Sequence, residues 1–420
     1  MRHPLGKKSS RFAWVTAFAL MLAACTMRTD AVRMNGSVLI RSGAGQSVAP
    51  TVTTTRAPDP LDEIITTMSP EDKVGQLFLV AFNGATAEAA SEAIAGLRAG
   101  GIVLLANATT ADAARLLTSD LQQIARENSM LPLLIATDHE GGSVQRIRDG
   151  VTSFGSNWAL GSVQPAEVAF AAACSRGATH GRELAALGIN MNLAPVLDVW
   201  DNPHNTVIAE RSYSDDASVV GRLGAAYIEA MQTHGVLAVG KHFPGHGSTT
   251  EDSHLTLPIV RHDRARLDAV ELVPFRSAIR ASVAAIMTAH VSYPLLDAVP
   301  SRPASLSPVI VSDLLRRDLG FDGLVITDDL GLMRAVTDRY DAGEAAVHAV
   351  LAGADMLTVV GPVDSQRRMA EAISAQVGGS ISRERLDNSV RRVLKAKQQA
   401  GLIPLRALTA PPSPAPCEGG

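Results

Sequence analysis

The feature that most constrains the fold of this chain is a series of eight short apolar runs, separated mostly by amphipathic or Ala-rich helical stretches. Apolar runs bounded by turn residues are typical of strands buried on both faces of a parallel sheet, with helices as connections. Eight such units in one domain predict an α/β fold, a single (β/α)8 TIM-type barrel, and a doubly wound open sheet is the alternative. The runs are residues 76–82, 101–106, 132–138, 189–198, 236–243, 285–291, 323–329 and 354–360.

Polar side chains stand at the ends of five of these predicted strands. An acid after a strand is commonly the N-cap of the next helix, and Asp198 is the residue that best fits this role. Five strands that end this way are better explained by an active site, because barrel enzymes assemble theirs where the strands end. The residues are Asp138, Asp198, Lys241 with His242, His290, and Asp328 with Asp329.

The N-terminus has the pattern of a bacterial export signal. A basic segment precedes an apolar run at residues 12–24, which is too short to span a membrane comfortably. The sequence Leu-Ala-Ala-Cys at residues 22–25 resembles a lipobox, in which the cysteine is lipidated and becomes the mature N-terminus. We therefore expect a lipoprotein signal peptide at 1–24 and a lipid anchor on Cys25 that holds the exported protein on the bacterial cell membrane. The alternative is an ordinary signal peptide.

Composition divides the rest of the chain. Residues 25–60 are rich in Thr, Ser, Gly and Ala and predict a flexible tether, and residues 406–420 predict a disordered Pro-rich tail. Residues 61–405 are then the barrel domain. The net charge is −4, and an N-terminal segment without acids holds part of the positive charge, so the mature chain is more acidic still. Such a surface argues against a nucleic-acid partner, because phosphate binding needs a basic patch.

The stretch "KHFPGHGSTTEDSH" at 241–254 concentrates titratable side chains on one strand end and loop. Barrel amidohydrolases bind metal through an H-x-H pair on an early strand, and this chain has no H-x-H. His242 and His246 would share a face only on a helix, which Pro244 and Gly245 break. We therefore expect neither a metal nor an organic cofactor.

Hydrolysis of a glycosidic bond fits these residues better. That reaction needs a carboxylate and a proton donor on opposite sides of the scissile bond. Asp328, after an apolar strand, is a candidate for the carboxylate. His254, with Asp252 to orient its imidazole, is a candidate for the donor.

Together, "KHFPGHGSTTEDSH", "DHEGGSVQR", "ERSY", "PASLS" and "ITDDL" resemble the family 3 glycoside hydrolases, in their β-N-acetylglucosaminidase branch, over about residues 62–404. The resemblance implies that Asp328 is the nucleophile and that His254 with Asp252 is the acid/base. The chain departs from the family at Ser248, where many relatives carry Asp, and at Leu332, often Met, which affects the expected substrate preference. The second α/β domain of larger members has no room here. The resemblance also implies sugar-binding roles for Asp138, Arg146, Arg211, Lys241 and His242.

The predicted protein is thus an exo-acting, retaining β-N-acetylglucosaminidase. Its expected substrate is a GlcNAc-containing glycan or muropeptide, released from peptidoglycan during cell-wall recycling, and we expect a monomer. A phosphorylase on the same scaffold is the alternative enzyme, because a neutral histidine repels phosphate less than a carboxylate would. A cell-wall-binding lipoprotein without catalysis is a further alternative, although a binder needs neither Asp328 nor His254.

Overall fold

Eight parallel strands form one sheet that closes into a barrel in the computed structural model, which describes residues 59–404. A parallel bridge between Ile326 and Met356 joins the two ends of the sheet. The predicted α/β barrel is confirmed. Its strands are β1 (Phe78–Val80), β2 (Gly101–Leu104), β3 (Leu134–Thr137), β6 (Met191–Asn192), β7 (Leu237–Phe243), β8 (Ala285–Thr288), β9 (Leu324–Thr327) and β10 (Leu357–Val359). They lie in the order β10-β1-β2-β3-β6-β7-β8-β9. A hairpin of β4 (His139–Gly141) and β5 (Val144–Gln145) follows β3.

Helices connect most of these strands. Side-chain caps at Thr110, Asp216, Asp341 and Ser382 each accept a backbone N–H at a helix start. The helices are α1 (Pro60–Thr67), α2 (Pro70–Gly75), α3 (Ala111–Glu127), α4 (Asn157–Gly161), α5 (Ala166–Ala186), α6 (Ala217–Gln232), α7 (Arg264–Ala269), α8 (Leu272–Arg280), α9 (Arg334–Thr337), α10 (Ala342–Ala352), α11 (Val363–Gln376) and α12 (Arg383–Gln399). Shorter 3₁₀ segments are Ala87–Ala90, Ala209–Arg211 and Ala304–Leu306, and the π-helical segments are Glu92–Gly96 and Val309–Asp318.

The strand side chains alternate between two apolar layers. In β3, Leu134 and Ala136 belong to the cluster inside the barrel, whereas Ile135 packs in the layer beneath the helices. β9 repeats the pattern, with Leu324 and Ile326 inside the barrel. This alternation explains why the strands read as continuous apolar runs, because both faces of the sheet are buried.

The predicted strand at 189–198 is much shorter in the structure. Only Met191–Asn192 forms regular strand, and the chain then continues beside β7 through a bridge between Val196 and Lys241. Pro195 explains the interruption, since proline has no N–H to donate to a sheet. The segment still ends at the barrel mouth, which places Asp198 next to β7.

The N-terminal end of the barrel holds buried charge of its own. Asp355, just before β10, is fully buried and forms ion pairs with Arg316, Arg385 and Arg392. Lys397 of α12 is also fully buried, and its Nζ donates to Gln76 Oε1 at 2.6 Å. Burial lowers the pKa of Lys397 to about 7.

The predictions for the chain ends lie outside the described residues. These are the signal peptide at 1–24, the lipid anchor on Cys25, most of the tether at 25–60 and the tail at 406–420. Between residues 59 and 404, no helix is both long enough and apolar enough to cross a membrane.

Candidate active site

A cavity of about 430 Å³ opens where the barrel strands end. Its volume lies in the range of small-ligand sites, about 300–1,000 Å³. The structure brings seven of the eight residues predicted from the sequence to act on substrate into this lining, and the eighth, Asp252, is hydrogen-bonded to one of them. The seven are Asp138, Arg146, Arg211, Lys241, His242, His254 and Asp328.

A buried charge network forms one wall of the cavity. The Lys241 ammonium contacts Asp138 Oδ1 and Glu140 Oε1, each at 2.7 Å. Arg211 holds Glu140 through two bonds, from Nη2 to Oε1 at 2.8 Å and from Nε to Oε2 at 2.9 Å. Burial alone would raise the pKa of Glu140, but the Arg211 and Lys241 cations outweigh it and hold this pKa well below its usual range.

The hairpin after β3 places Arg146 beside this network. Gly141 and Gly142 have φ of 98° and 60°, conformations that glycine adopts without strain. A Cβ on Gly142 would stand 2.9 Å from Ser156 Cα, so the turn also requires glycine for space. The chain therefore reverses sharply, and Arg146 Nη2 lies 3.7 Å from Asp138 Oδ2.

Asp198 is not a helix cap, so that prediction is wrong. The next helix, α6, is capped by Asp216, and Asp198 is fully buried beneath the cavity. Its Oδ2 lies 2.7 Å from His242 Nδ1, and its Oδ1 accepts the backbone N–H groups of His242 and His246. Asp198 therefore fixes the His242 ring and the start of the following loop at once.

Asp328 follows β9 and is an ionised carboxylate. Burial would raise its pKa, but the nearby imidazoles of His242 and His290, the backbone N–H of Asp329 and the Lys241 ammonium together lower it. The N–H of Asp329 donates to Asp328 Oδ1 at 2.9 Å. The carboxylate is thus held by backbone and kept charged, which is the state a nucleophile requires.

The adjacent Asp329 ties together the turn after β9 and the end of β10. It accepts the N–H groups of Gly331, Leu332 and Val360 at 2.7–2.9 Å. Burial raises its pKa to about 6 in spite of these bonds. An acid after a strand commonly caps the next helix, but α9 begins later, after Met333, and Asp329 caps the turn instead.

His254 and Asp252 lie on the histidine loop, residues 244–256. His254 Nδ1 is 2.7 Å from Asp252 Oδ1, which also accepts the His254 backbone N–H. These side chains are 64% and 34% exposed, unlike the buried residues below them. Burial would raise the pKa of Asp252, but its bonds to the His254 backbone and ring lower it. Arg334 N–H donates to His254 O, which ties the loop to the start of α9.

Two departures from the family pattern have different positions. Leu332 lines the cavity and is 56% exposed, so it is placed to contact a bound molecule. Ser248 does not line the cavity, and its hydroxyl donates to Asp201 Oδ1 at 2.6 Å.

Within residues 59–404, no group of three or more His, Cys, Asp or Glu side chains has the geometry to hold a metal ion. The prediction that no metal or cofactor takes part stays a prediction.

A barrel whose mouth combines an ionised carboxylate, a histidine–carboxylate pair and a wall of paired charges has the machinery of a glycosidase. The model of the family "Glycosyl hydrolase family 3 N terminal domain" matches residues 69–396. The chain therefore belongs to glycosyl hydrolase family 3, which confirms that prediction.

The relatives are β-hexosaminidases. The chain is 39% identical over 329 residues to "Beta-hexosaminidase A" of Pseudoalteromonas piscicida, covering 73% of this chain but 54% of that protein. A family 3 β-N-acetylglucosaminidase structure from Paenibacillus has a TM-score of 0.76 and 45% identity, covering 82% of this chain and 65% of that one. The "Beta-N-acetylhexosaminidase" structure from Beutenbergia cavernae has a TM-score of 0.72 and 34% identity, covering 79% of this chain and 99% of that one. The matched region thus fits a single-domain member.

Sequence reasoning missed Glu140 as a site residue. It stands two positions after Asp138, and residues spaced by two point to the same side of an extended chain. That spacing was a usable signal. The buried position of Glu140 between two cations depends on Arg211 and Lys241, which come from distant segments.

Proposed function

We propose that this protein is an exo-acting, retaining β-N-acetylglucosaminidase. The observation that carries the proposal is the pairing of two unlike groups on one cavity, the half-buried, ionised Asp328 and the more exposed His254 with Asp252 beside it. A retaining glycosidase needs these two functions, a nucleophile and an acid/base. The names of the relatives in family 3 supply the sugar, a β-linked N-acetylhexosamine.

In the proposed first step, an Asp328 oxygen attacks the anomeric carbon and the bond to the leaving oxygen breaks. Protonated His254 transfers its proton to that oxygen, so the aglycone leaves as a neutral alcohol. The product on the enzyme is a glycosyl ester of Asp328. In the second step neutral His254 removes a proton from water, the water oxygen attacks the anomeric carbon, and the ester bond breaks. Two inversions give net retention.

The charged wall is the proposed sugar-binding surface. Asp138, Lys241 and Arg211 already hold one another through Glu140 or directly, so their free N–H groups and oxygen lone pairs are oriented before a sugar arrives. Arg146 is 40% exposed and stands at the outer side of this wall. His242, fixed by Asp198, is proposed to bind a hydroxyl near the reacting carbon.

The proposed substrate class is terminal GlcNAc on peptidoglycan fragments. A cavity of about 430 Å³ suits one sugar residue with its acetamido group better than a length of glycan chain. An exported protein meets GlcNAc in the cell wall, so this proposal depends on the lipoprotein signal in the sequence.

A phosphorylase is the second candidate function, and the exposed imidazole of His254 is the observation that supports it. A neutral imidazole repels phosphate less than a carboxylate in the same place would, and its side chain is open to solvent. The two reactions differ only in the acceptor that resolves the glycosyl ester.

One experiment tests both. The purified protein is incubated with 4-nitrophenyl β-GlcNAc, with and without inorganic phosphate, and the sugar product and its anomeric configuration are followed by NMR. We expect free GlcNAc, formed first as the β-anomer and unaffected by phosphate. GlcNAc 1-phosphate would establish the phosphorylase, and an α-anomer formed first would contradict the retaining mechanism.

We also propose that the protein is anchored to the cell membrane through a lipidated Cys25. The support is the sequence of residues 1–25 alone. Cell fractionation of the full-length protein and of Cys25→Ala tests it, with membrane retention expected only for the unchanged protein. If Cys25→Ala is processed and retained like the unchanged protein, the lipoprotein assignment is wrong.

A further inference from the structure

Asn205 is a buried amide that binds two functional segments at once. It is 2% exposed and lies on the loop between β6 and α6. The two hydrogens of its Nδ2 are shared among three acceptors, His246 O at 2.7 Å, Gly247 O at 3.1 Å and Thr249 Oγ1 at 3.1 Å. Its Oδ1 accepts the N–H groups of Val207 and Ile208 at 3.0 and 2.9 Å. Both ends of the amide are therefore fully used.

The Oδ1 end fixes the arginine segment, residues 206–211. Val207 lines the cavity, and its carbonyl accepts a bond from Arg211 Nη1 at 3.1 Å. The Arg211 backbone N–H donates to Ile208 O at 2.8 Å. The two N–H groups that Asn205 accepts thus belong to the residues whose carbonyls orient Arg211, and Arg211 in turn holds Glu140.

The Nδ2 end fixes the start of the histidine loop. Thr249 Oγ1, one of its partners, lies 3.0 Å from His246 Nδ1, and His246 Nε2 lies 3.1 Å from Ser253 Oγ. Ser253 directly precedes His254 in the chain. Because each ring nitrogen of His246 has a partner, a short chain of hydrogen bonds leads from the Asn205 amide to the residue beside the proposed acid/base.

We infer that Asn205 is a positioning residue that holds the proton-donating loop and the sugar-binding arginine in one fixed arrangement. The inference rests on the proposed function for the meaning of these two segments, but the coupling itself is a statement about structure. A proton donor works only when it is within hydrogen-bond reach of the leaving oxygen of a correctly seated sugar. Because one amide binds both segments, it fixes the position of the proton donor relative to the sugar-binding arginine.

Asn202 supplies a matched control on the same loop. Its Nδ2 donates to Thr249 O at 2.9 Å and to Ser248 O at 3.3 Å, so it also holds the histidine loop. Among residues 59–404, its Oδ1 accepts the nearby His204 N–H and no group of the arginine segment. Asn202→Ala should therefore loosen one segment, whereas Asn205→Ala should loosen both.

Hydrogen exchange measures the coupling without any substrate. The Val207 and Ile208 amides should exchange at least about tenfold faster in Asn205→Ala, because their acceptor is gone. In Asn202→Ala these two amides should stay protected, while the histidine loop exchanges faster in both variants. Asn205→Asp keeps the acceptor and removes the donor, so it should protect Val207 and Ile208 and loosen only the loop. This variant also serves if Asn205→Ala does not fold.

Kinetics then test the consequence for catalysis. We expect Asn205→Ala to raise KM for 2,4-dinitrophenyl β-GlcNAc and to lose roughly ten- to hundredfold more kcat/KM on a methyl glycoside, which needs the proton. Asn202→Ala should also lose more kcat/KM on the methyl glycoside than on the dinitrophenyl glycoside, but its KM for the dinitrophenyl glycoside should be unchanged. Uniform faster exchange over the whole barrel with equal losses on both substrates would overturn the inference, as would protected Val207 and Ile208 amides in Asn205→Ala. If the unchanged protein cleaves no β-GlcNAc glycoside, the proposed function fails and the exchange data alone decide the coupling.

Discussion

Replacing Glu140 by Gln should strongly destabilise the barrel mouth. Glu140 is buried between two cations and makes three charge-assisted contacts of 2.7–2.9 Å, two to Arg211 and one to Lys241. The amide keeps the shape of the carboxylate but has one acceptor atom in place of two. Its NH₂ group must face an N–H donor, and the buried cations lose a compensating charge.

The expected size follows from the burial of the network. Removing one partner of a buried ion pair costs about 3–5 kcal/mol, because a charge is left buried without compensation. Each kcal/mol lost from the free energy of unfolding lowers the melting temperature by about 2–4 °C in domains of 150–250 residues, and by less in larger domains. We therefore expect Glu140→Gln to melt roughly 4–7 °C lower at neutral pH, with a raised KM because Arg211 and Lys241 lose their orientation.

Melting temperatures measured at acidic pH test whether the loss comes from the charge of Glu140. The folded-state pKa of Glu140 lies below its unfolded value of about 4.5, so its stabilisation is complete above that pH and is lost as the pH falls through the folded-state pKa. The difference in melting temperature should be constant from pH 7 to about 5 and then narrow. Asp112→Asn, which breaks an exposed ion pair with Arg115, should cost little and serves as control. A loss for Glu140→Gln no larger than for that control would refute the reasoning.

Three further predictions concern the chemistry and the barrel base. Asp328→Ala should be nearly inactive on every substrate, because the glycosyl ester cannot form. His254→Ala should lose far more activity on a methyl glycoside than in the glycosylation step with a dinitrophenyl glycoside, whose leaving group needs no proton. Equal losses of His254→Ala on the two substrates would contradict the acid role. Lys397→Met should raise the melting temperature, with a larger gain at pH 6 than at pH 10, because wild-type stability rises with pH above the folded pKa of about 7. EDTA should leave activity unchanged, and loss restored by one divalent ion would revive a metal mechanism.

The barrel could be predicted because its strands are buried on both faces. Each of the eight predicted runs contains one observed strand, such as Leu324–Thr327 within 323–329. The ends of the strands were less predictable, since pairing depends on the neighbouring strand and not on the run itself. Pro195 was the visible sign that the run at 189–198 could not be regular throughout.

The cavity lining could be predicted wherever a residue follows a strand or belongs to a specific motif. What the sequence does not contain is the partner of each buried group. Asp198 looked like a helix cap because acids after strands usually are, yet its partners lie 44 and 48 residues further along the chain. Asn205 had no signal at all, because its importance comes from carbonyl groups 41 and 42 residues away.

The exposure of the two proposed catalytic groups matches what each must do. Asp328 has to remain ionised and fixed, and the imidazoles of His242 and His290, the backbone N–H of Asp329 and the Lys241 ammonium achieve both against the opposing effect of burial. His254 has to give up a proton, take one from water and let the aglycone depart, and a side chain that is 64% exposed has access to all three. A buried acid/base would be positioned more firmly by packing, but it would hinder the exchange of the departing alcohol for water. The cost of exposure is poor positioning, since an exposed loop orders few side chains by packing. Asn205, which binds the start of the loop, and Asp252, which holds the His254 ring within it, offset that cost through hydrogen bonds instead.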